Sequence, residues 1–543
     1  MVFARRSTTL LAAIIASCAM VLSLTACTSD NKTVVDGQTT VTSNSAGGVA
    51  VFTPSDGITL NQQTPLNKWA KLVPDLTKAL VDAGFKKGDI NHTTSDSLDK
   101  QSRAIQDFVV DHLSNNTTDD SGIAIAPDNM TLLVAPVVEA DASTRQYGDY
   151  VSQNLSTNDV TDGEATSDGE SSEDDSSKDD SSNTESDSTA SDEQAQAVDR
   201  LVSSLKLAKE SGMHVVLLGN SIEGYKPDAF VKFSDAQTIG KLQAEKMVSK
   251  LKLDKASKDN PKYIEVLLPY TAVDEKGNAN DSTFAQEAFR GIWQVLGSYY
   301  QKGVVESPSG TLDGKSTEND WQAVAYDAAK EGSTAKVLDK RLAKTDGQST
   351  LTRIDGIITM NDYIASEVVK ELDDLGYTGS AADINPQITI SGIVGNITGK
   401  KDLSRDAVPD PIKSPENDNA NDSSSSDDDA DEDTSASDKD RDSQWPLVTG
   451  YGAYVSNIPS IVNGKQWMTG MEDRQTIATD IAQACAKLNK DEALNSMPSI
   501  RNSEVGGVKK IPTISEPLLA VSASNLKSAL IDPGYISLAD AGL

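Results

Sequence analysis

The fold of this chain is decided by the stretch Arg353-Ile-Asp-Gly-Ile-Ile-Thr-Met-Asn-Asp-Tyr-Ile-Ala-Ser-Glu-Val-Val-Lys-Glu-Leu-Asp-Asp-Leu-Gly-Tyr-Thr-Gly379. Its apolar run, residues 354–360, predicts a buried strand, and apolar side chains at helical spacing over residues 364–375 predict a helix. Asn361 and Asp362 form the polar turn between the two elements. In open α/β sheets, ligands bind beyond the carboxyl ends of strands, where such turns lie. Asp362 is therefore predicted either to cap the helix and do nothing more, or to cap it and also contact a ligand.

The same order of strand, turn and helix recurs on both sides of this stretch. Strands are predicted at residues 49–53, 131–138, 214–218, 263–268, 388–392 and 446–450. Helices are predicted from a Thr64 cap with Pro65 in the first turn, over 194–211, from a Ser234 cap to 251, and over 283–300, 321–342 and 473–488. This alternation indicates an α/β fold with mainly parallel, doubly wound sheets. The strands are too many for one sheet, and 543 residues are too many for one core, so two similar lobes are expected.

Charge is concentrated in two low-complexity segments rich in Ser, Asp and Glu, at about residues 154–193 and 406–443. Such segments cannot bury enough apolar surface to offset the entropy of ordering, so we expect disorder there. The net charge of −33 argues against nucleic acid as a partner and against electrostatic binding to anionic lipid.

Residues 1–27 have the pattern of an export signal. Arg5 and Arg6 precede an apolar core, residues 10–22, that is short for a bilayer span, and small residues lead to Cys27. A cysteine in this place resembles the lipid acceptor of bacterial lipoproteins. We therefore expect a lipid on Cys27 and a polar tether over residues 28–47.

The sequence offers no pattern for an enzyme or a metal site. The one cysteine outside the signal and the lipidation position, Cys485, lies in an apolar helical pattern and is expected to pack rather than react. The three histidines are scattered without metal-ligand spacing, and the acidic run over residues 427–433 lacks the spaced ligands of a calcium loop. Neither a nucleophile elbow nor a phosphate-binding glycine loop is present, so we expect a binding protein without a cofactor.

Several short motifs, in chain order, resemble one family, the type I solute-binding proteins of ABC sugar importers, and within it the xylose and multiple-sugar branch. They are Lys68-Trp69 ahead of Gly84, Phe233-Ser-Asp235, Asn280-Asp281 ahead of Phe289-Arg-Gly291, Asn361-Asp362, Pro446-Leu-Val-Thr-Gly450, and the C-terminal run from Asn525 to Tyr535. The resemblance covers nearly all of residues 48–543 outside the acidic segments.

The resemblance implies a type I periplasmic-binding-protein fold with two lobes. The first lobe would comprise residues 48–232 and 471–514, and the second residues 236–468 and 518–543. Three hinge crossings are implied near residues 231–235, 468–471 and 514–521. A sugar or similar small polar solute would be held between the lobes and delivered to the permease subunits of an ABC transporter.

Three departures from the family pattern concern the ligand site. The family's Asp-Arg clamp after the third strand is replaced by Gly219-Asn220-Ser221, which removes the charges. Its Gly-Gln-Asp-Ala motif is replaced by Gly450-Tyr451-Gly452-Ala453, and Glu472 stands where a basic residue is expected.

Sugar recognition needs fixed donors and acceptors with an aromatic platform, because each unpaired buried hydroxyl costs roughly 1–3 kcal/mol. The candidate ligand residues are Lys68, Trp69, Asn220, Asn280, Asp281, Asn361, Asp362, Tyr451 and Glu472. Each has a structural alternative. Trp69 fits a helix core, Asn280-Asp281 a cap and turn, and Tyr451 a packing role between lobes, while Lys68 and Glu472 could pair with each other or be solvated.

Two functions remain open from the sequence. One is a transport receptor, lipid-anchored on the outer face of the cytoplasmic membrane. The other is a surface sensory or interaction protein on the same fold with an altered or lost pocket.

Overall fold

A computed structural model of the protein describes residues 33–35, 38–40, 46–55, 65–115, 125–138, 142–156, 185–273, 280–328, 330–343, 351–381 and 445–543. The chain forms two compact units, Met1–Asn44 and Ser45–Leu543. The described part of the first unit is an antiparallel hairpin. The predicted strand at residues 388–392, the acidic segment at 406–443 and Cys27 lie outside the described residues.

Strands and helices are numbered in chain order. The strands are β1 Thr33–Val35, β2 Gln38–Thr40, β3 Gly48–Pro54, β4 Ile90–Ser95, β5 Met130–Val134, β6 Asn154–Leu155, β7 His214–Leu218, β8 Ser221–Ile222, β9 Ala229–Lys232, β10 Lys262–Val266, β11 Leu268–Pro269, β12 Val305–Glu306, β13 Ala325–Tyr326, β14 Gly356–Ile358, β15 Leu447–Tyr451, β16 Met468–Met471, β17 Ile500–Val505, β18 Val508–Ser515 and β19 Leu519–Ser522. The α-helices are α1 Trp69–Asp82, α2 Leu98–Asn115, α3 Ala142–Arg145, α4 Glu185–Glu210, α5 Ala236–Leu251, α6 Thr283–Gln301, α7 Trp321–Val324, α8 Ser333–Arg341, α9 Asp362–Asp374, α10 Ile458–Val462 and α11 Arg474–Leu488. A π-helical turn, Lys527–Ile531, follows β19.

The first large sheet has seven strands in the order β17-β18-β9-β7-β5-β3-β4. All neighbours are parallel except the β17–β18 hairpin. Alternate residues of the buried strands face opposite cores: Val49 and Val51 pack with α1 and α11, whereas Ala50 and Phe52 pack with α2 and α4. This period of two, with helices on both faces, makes the sheet doubly wound.

The second large sheet has six strands in the order β12-β10-β14-β15-β16-β19. Only the β16–β19 pair is antiparallel. Ile358 packs on the α5–α6 side and Ile357 on the α8–α9 side. Full burial of each such side chain contributes about 1.5–3 kcal/mol.

The chain passes between the two sheets three times. It passes from β9 to α5 through residues 233–235, from β16 to α11 through 472–473, and from β18 to β19 through 516–518. The predicted fold class is confirmed: two mainly parallel, doubly wound α/β sheets exchange chain at three crossings.

The stretch that opened the sequence analysis forms β14, a tight turn and α9, as predicted. The N-cap of α9 was predicted at Asp362 but is the preceding residue. Asn361 is the N-cap, because its side chain accepts the backbone N–H of Ile364, and Asp362 is the first helical residue.

Other element boundaries also differ from the predictions. The first helix begins at Trp69 rather than at Pro65, and α5 is capped by Asp235 rather than Ser234. The predicted helix over residues 321–342 is two helices, because Ala325–Tyr326 pairs with β11 and Gly332 adopts a φ of +69°. The acidic segment predicted to be disordered at 154–193 has β6 at its start and the first turns of α4 at its end.

Cys485 is fully buried in the first lobe, which confirms its predicted packing role. Among the described residues, no helix is long and apolar enough to cross a membrane.

Candidate ligand-binding site

The carboxyl ends of strands from both sheets converge on one short piece of main chain. This piece, residues 146–153, is called the crevice segment below. Residues that follow β7, β9, β14 and β15 all contact it: Asn220, Ser234, Asn361 and Tyr454. The strand ends of both sheets, where the sequence predicts a ligand, therefore contact this segment of the chain instead.

The backbone at two of these strand ends is strained. Met360, next to the β14 turn, has a φ of +68°, and Ala453, after β15, has a φ of +49°. Non-glycine residues in the left-handed region cost on the order of 1–3 kcal/mol and persist where the surroundings fix them. Both residues are fully buried. Such outliers are concentrated at binding sites in proteins, which supports a functional role for this edge of the second sheet.

The first lobe holds the crevice segment through Asp149. Its carboxylate accepts a 2.9 Å bond from Lys68 Nζ and a 3.1 Å bond from the backbone N–H of Trp69, the first residue of α1. A negative charge at this place is favoured both by the lysine and by the helix dipole. The backbone N–H of Asp149 donates in turn to Asn67 O at 2.8 Å.

The second lobe holds the same segment through Gln146 and Tyr147. The Asn361 amide donates to Gln146 Oε1 at 3.1 Å, and the Tyr454 hydroxyl donates to Gln146 O at 2.7 Å. The Tyr147 ring lies 4.7 Å from the Phe284 ring and 6.3 Å from the Tyr451 ring, measured between centroids. Tyr147 is thus part of the second lobe's core although it follows a strand of the first.

Trp69 is a core residue, which confirms the structural alternative given for it. Its ring is 3% exposed and meets the rings of Tyr150 and Phe233 edge-on, at 5.1 and 5.7 Å. Tyr150 stacks on Phe233 at 4.8 Å, and its hydroxyl donates to Lys68 O. The aromatic face predicted for a sugar is therefore covered by a tyrosine of the crevice segment.

Asn220 binds the far end of the crevice segment. Its Oδ1 accepts the backbone N–H of Gln153 at 3.0 Å, and its Nδ2 donates to Pro136 O at 2.9 Å. The amide thereby ties the chain that leaves β5 to the chain that enters β6.

Asp362 is fully buried inside the second lobe. Its carboxylate accepts bonds from the Tyr454 backbone N–H at 2.9 Å, Gln466 Nε2 at 2.7 Å and Thr469 Oγ1 at 2.9 Å. Burial raises the pKa of this carboxyl to about 6, against the lowering effect of those bonds. Asp362 therefore holds the loop after β15 in place, and in this structure its oxygens bind protein donors rather than facing the crevice.

Glu472 lies at the second crossing and is also fully buried. Its Oε1 accepts the backbone N–H of Ser234 at 2.6 Å and the Tyr451 hydroxyl at 3.4 Å. The side-chain hydroxyls of Ser234 and Tyr451 are also hydrogen-bonded to each other. Burial raises the pKa of Glu472 to about 7, and burial next to Glu472 raises that of Tyr451 well above its ordinary value. The suggested Lys68–Glu472 pair is wrong, because Lys68 pairs with Asp149. Glu472 is buried, and 15% of the Lys68 side chain is exposed.

Asn280 and Asp281 make only local bonds in the described structure. Asn280 Nδ2 donates to Thr271 O at 2.8 Å, and Asp281 Oδ1 accepts the backbone N–H of Thr283 at 2.9 Å. These are the turn and helix-start contacts given as their structural alternative, and Asp281 is exposed.

Four residues of the crevice segment were not predicted from the sequence: Gln146, Tyr147, Asp149 and Tyr150. The available signal was the aromatic run Tyr147-Gly-Asp-Tyr150, which stands between a predicted strand and an acidic tract. Its partners are remote in sequence, so no local spacing points to them.

An open depression of about 510 Å³ lies at the amino ends of the first sheet's strands, lined by residues that include His214, Asp228 and Asp491. None of the predicted ligand residues lines it. Within the described ranges, no three His, Cys, Asp or Glu side chains are grouped to hold a metal ion.

Comparison with known proteins finds similarity only among solved structures. No protein-family profile matches the sequence, and no curated protein sequence matches it. An ABC transporter solute-binding protein from Clostridium phytofermentans with bound β-D-glucose is 17% identical, with a TM-score of 0.44, over 91% of this chain and 99% of that one. A carbohydrate transporter solute-binding protein from Chloroflexus aurantiacus in complex with D-glucose is 18% identical, with a TM-score of 0.43, over 92% and 98%. A periplasmic ribose ABC transporter protein from Conexibacter woesei is 12% identical, with a TM-score of 0.41, over 90% and 96%. Similarities of this size do not identify a ligand for this chain.

Proposed function

We propose that the protein is the solute-binding component of an ABC importer, which takes a small polar solute between its lobes and presents it to a membrane permease. A sugar is the favoured class of solute. One observation carries the proposal: candidate ligand residues from both lobes, Lys68 and Asn220 on one side and Asn361 and Tyr451 on the other, contact the same short segment in the crevice.

The groups that meet there suit a polyol. Lys68 and the amino end of α1 supply donors, which Asp149 accepts from in this structure. Asn361 and Asn220 supply amides that both donate and accept, and the rings of Trp69 and Phe233, covered by Tyr150, supply an apolar face. A ligand that bonds to both lobes stabilises the closed arrangement, because only that arrangement offers it both sets of contacts.

The cellular side of the proposal rests on the sequence. An export signal that ends at Cys27 supports a lipid-anchored protein on the outer face of the bacterial cytoplasmic membrane, where an importer collects solute. Binding rather than catalysis is further supported by the contacts of the two buried carboxyls, since Asp362 and Glu472 hold loops and crossings.

A second function is favoured by a different observation. The crevice segment already makes the contacts that a solute would make, and the charged clamp of the family is missing at Asn220. A surface sensory or interaction protein with a permanently closed crevice would have these features.

Calorimetric titration and thermal melting of the full chain with D-xylose, D-glucose, L-arabinose and D-ribose distinguish the two functions. A solute at about 100 times its Kd stabilises the folded state by roughly 2.7 kcal/mol, so one sugar should give a saturable heat and a clear rise in Tm. Asn361→Ala should weaken that binding. Asn525→Ala is the control and should leave binding unchanged. Asn525 bonds a backbone N–H and a backbone carbonyl within the second lobe and does not contact the crevice segment. A panel without heat or Tm shift would contradict the transport function and favour the second.

A further inference from the structure

The crevice segment bonds to Lys68, Asn220 and Asn361, three of the residues predicted to bind a ligand. We propose that it is an autoinhibitory element: residues 146–153 hold the lobes closed, and they must leave before a solute can enter. The inhibitory role rests on the proposed function, whereas the hold on the lobes can be tested without any solute.

The segment alternates its contacts between the lobes. Tyr147 and Val151 are buried in the core of the second lobe, and Tyr150 is buried in the core of the first. Next to Val151, Ser152 donates its backbone N–H to Ser234 O at 3.2 Å, at the first crossing. Opening the lobes about the crossings would have to pull one set of contacts away from the other.

The segment lies close against the residues before α1 at a glycine. Gly148 has a φ of +96°, and a Cβ there would lie 2.6 Å from Asn67 O. Only glycine takes this conformation and this spacing without strain. The sequence of the segment therefore fits its seat against the start of α1 closely.

A solute can compete with the ion pair that holds the segment to the first lobe. The Lys68–Asp149 pair is partly wet, with 15% and 20% of the two side chains exposed. Exposed and partly exposed ion pairs contribute little net free energy. A solute hydroxyl or carboxylate at Lys68 would replace the bond of Asp149 rather than add to it. The apparent affinity for the solute is then the intrinsic affinity multiplied by the fraction of molecules in which the segment has left the crevice.

Two variants release the segment from one lobe each, and each has a matched control. Asp149→Ala removes a lysine pair and a backbone N–H partner from the first lobe. Asp228→Ala removes the same two kinds of bond, to Lys209 and Val215 N, at the far end of the first sheet.

Tyr454→Phe removes the hydroxyl bond to Gln146 O. Tyr377→Phe removes a similar bond, to Thr352 O, within the second lobe.

Hydrogen–deuterium exchange of peptides that span residues 146–153 and small-angle X-ray scattering of the full chain measure release and opening. In Asp149→Ala and Tyr454→Phe, exchange of the segment amides should rise roughly tenfold and the radius of gyration should increase. Neither control should change these two quantities. If either release variant keeps parental exchange and radius, or if a control matches it, the inference is overturned.

The same variants separate this inference from the proposed function. Where a sugar binds the parent, Asp149→Ala should bind it more tightly, because the competing carboxylate is gone. Weaker binding by Asp149→Ala would overturn the inhibitory role while leaving transport intact. Faster exchange and opening without sugar binding in any variant would support the hold on the lobes and count against the proposed function alone.

Discussion

The carboxylate of Glu472 accepts a 2.6 Å hydrogen bond from the backbone N–H of Ser234, and this bond joins two of the three crossings between the lobes. Ser234 follows β9, and Glu472 follows β16. The acceptor is fully buried, and that burial raises its pKa to about 7. The crossings are thus linked through a group that changes charge near neutral pH.

The contribution of Glu472 to stability should therefore fall as the pH rises from about 5 to about 8. A carboxyl whose folded pKa lies above its ordinary value of 4.5 binds its proton more tightly in the folded state. Its contribution is present in acid and is lost as the pH passes about 7, with an amount on the order of 2–3 kcal/mol. Asp362, with its pKa raised to about 6, acts in the same direction.

Glu472→Gln should flatten this pH dependence, as measured by urea unfolding at a series of pH values. The exposed Glu245, paired with Lys241 on α5, gives the control substitution Glu245→Gln, which should keep the parental slope. A Glu472→Gln variant whose stability falls as steeply as the parent's would show that Glu472 does not titrate in this range.

Asp362→Ala should destabilise the fold strongly, by about 3 kcal/mol or more. It removes the acceptor of the Tyr454 N–H and one of two acceptors each of the Gln466 amide and the Thr469 hydroxyl, and each unsatisfied buried donor costs about 1–3 kcal/mol. Asp281→Ala, at an exposed helix start, should cost only about 1 kcal/mol. Denaturant melts compare the two directly. A near-parental midpoint for Asp362→Ala would contradict the structural role assigned to this carboxylate.

The strand–helix units could be predicted because their signals are local, whereas the crossings were only implied by the family resemblance. The apolar run before Asn361 and the helical spacing after it identify β14 and α9, and the same pattern repeats in both lobes. The roles of neighbouring polar residues were harder to separate. Asn361 and Asp362 can both cap a helix, and only the buried partners Gln466 and Thr469 distinguish the cap from the interior carboxylate.

The crevice segment could not be predicted because its role depends on distant parts of the chain. Asp149 meets Lys68, 81 residues earlier, and Gln146 meets Tyr454, 308 residues later. Within the segment there is neither a helical nor a strand period. Asn220, Asn361 and Asp362 follow strands as predicted, but nothing in the sequence indicates that a tyrosine and an aspartate of the same chain would lie beside the candidate ligand residues.

Gly148→Ala should destabilise the closed arrangement through the crevice segment. The substitution adds a Cβ that meets Asn67 O at 2.6 Å, in addition to the strain of a positive φ. Gly224→Ala is the matched control, since Gly224 has a φ of +69° and nothing within 4 Å of the added Cβ. Both should lose roughly 1 kcal/mol of stability to the left-handed strain that a Cβ introduces, and only Gly148→Ala should also speed exchange in residues 146–153. Equal effects of the two substitutions on stability and exchange would mean that the chain around Gly148 and Asn67 can shift to accommodate the added Cβ.

Cys27→Ser should release the protein from membranes. The small residues before Cys27 and the apolar core behind Arg5 and Arg6 predict transfer of a diacylglycerol to the thiol, and a serine hydroxyl cannot form that thioether. Two or more acyl chains hold a protein on a bilayer stably, whereas their loss leaves only a polar tether and a domain of high negative charge. Radiolabelled palmitate incorporation and the membrane share after carbonate washing measure the effect. Cys485→Ala, at the buried thiol of the first lobe, controls for a general effect of cysteine loss and should keep both the label and the membrane share. A Cys27→Ser protein that still carries label and sediments with membranes would show that the anchor lies elsewhere.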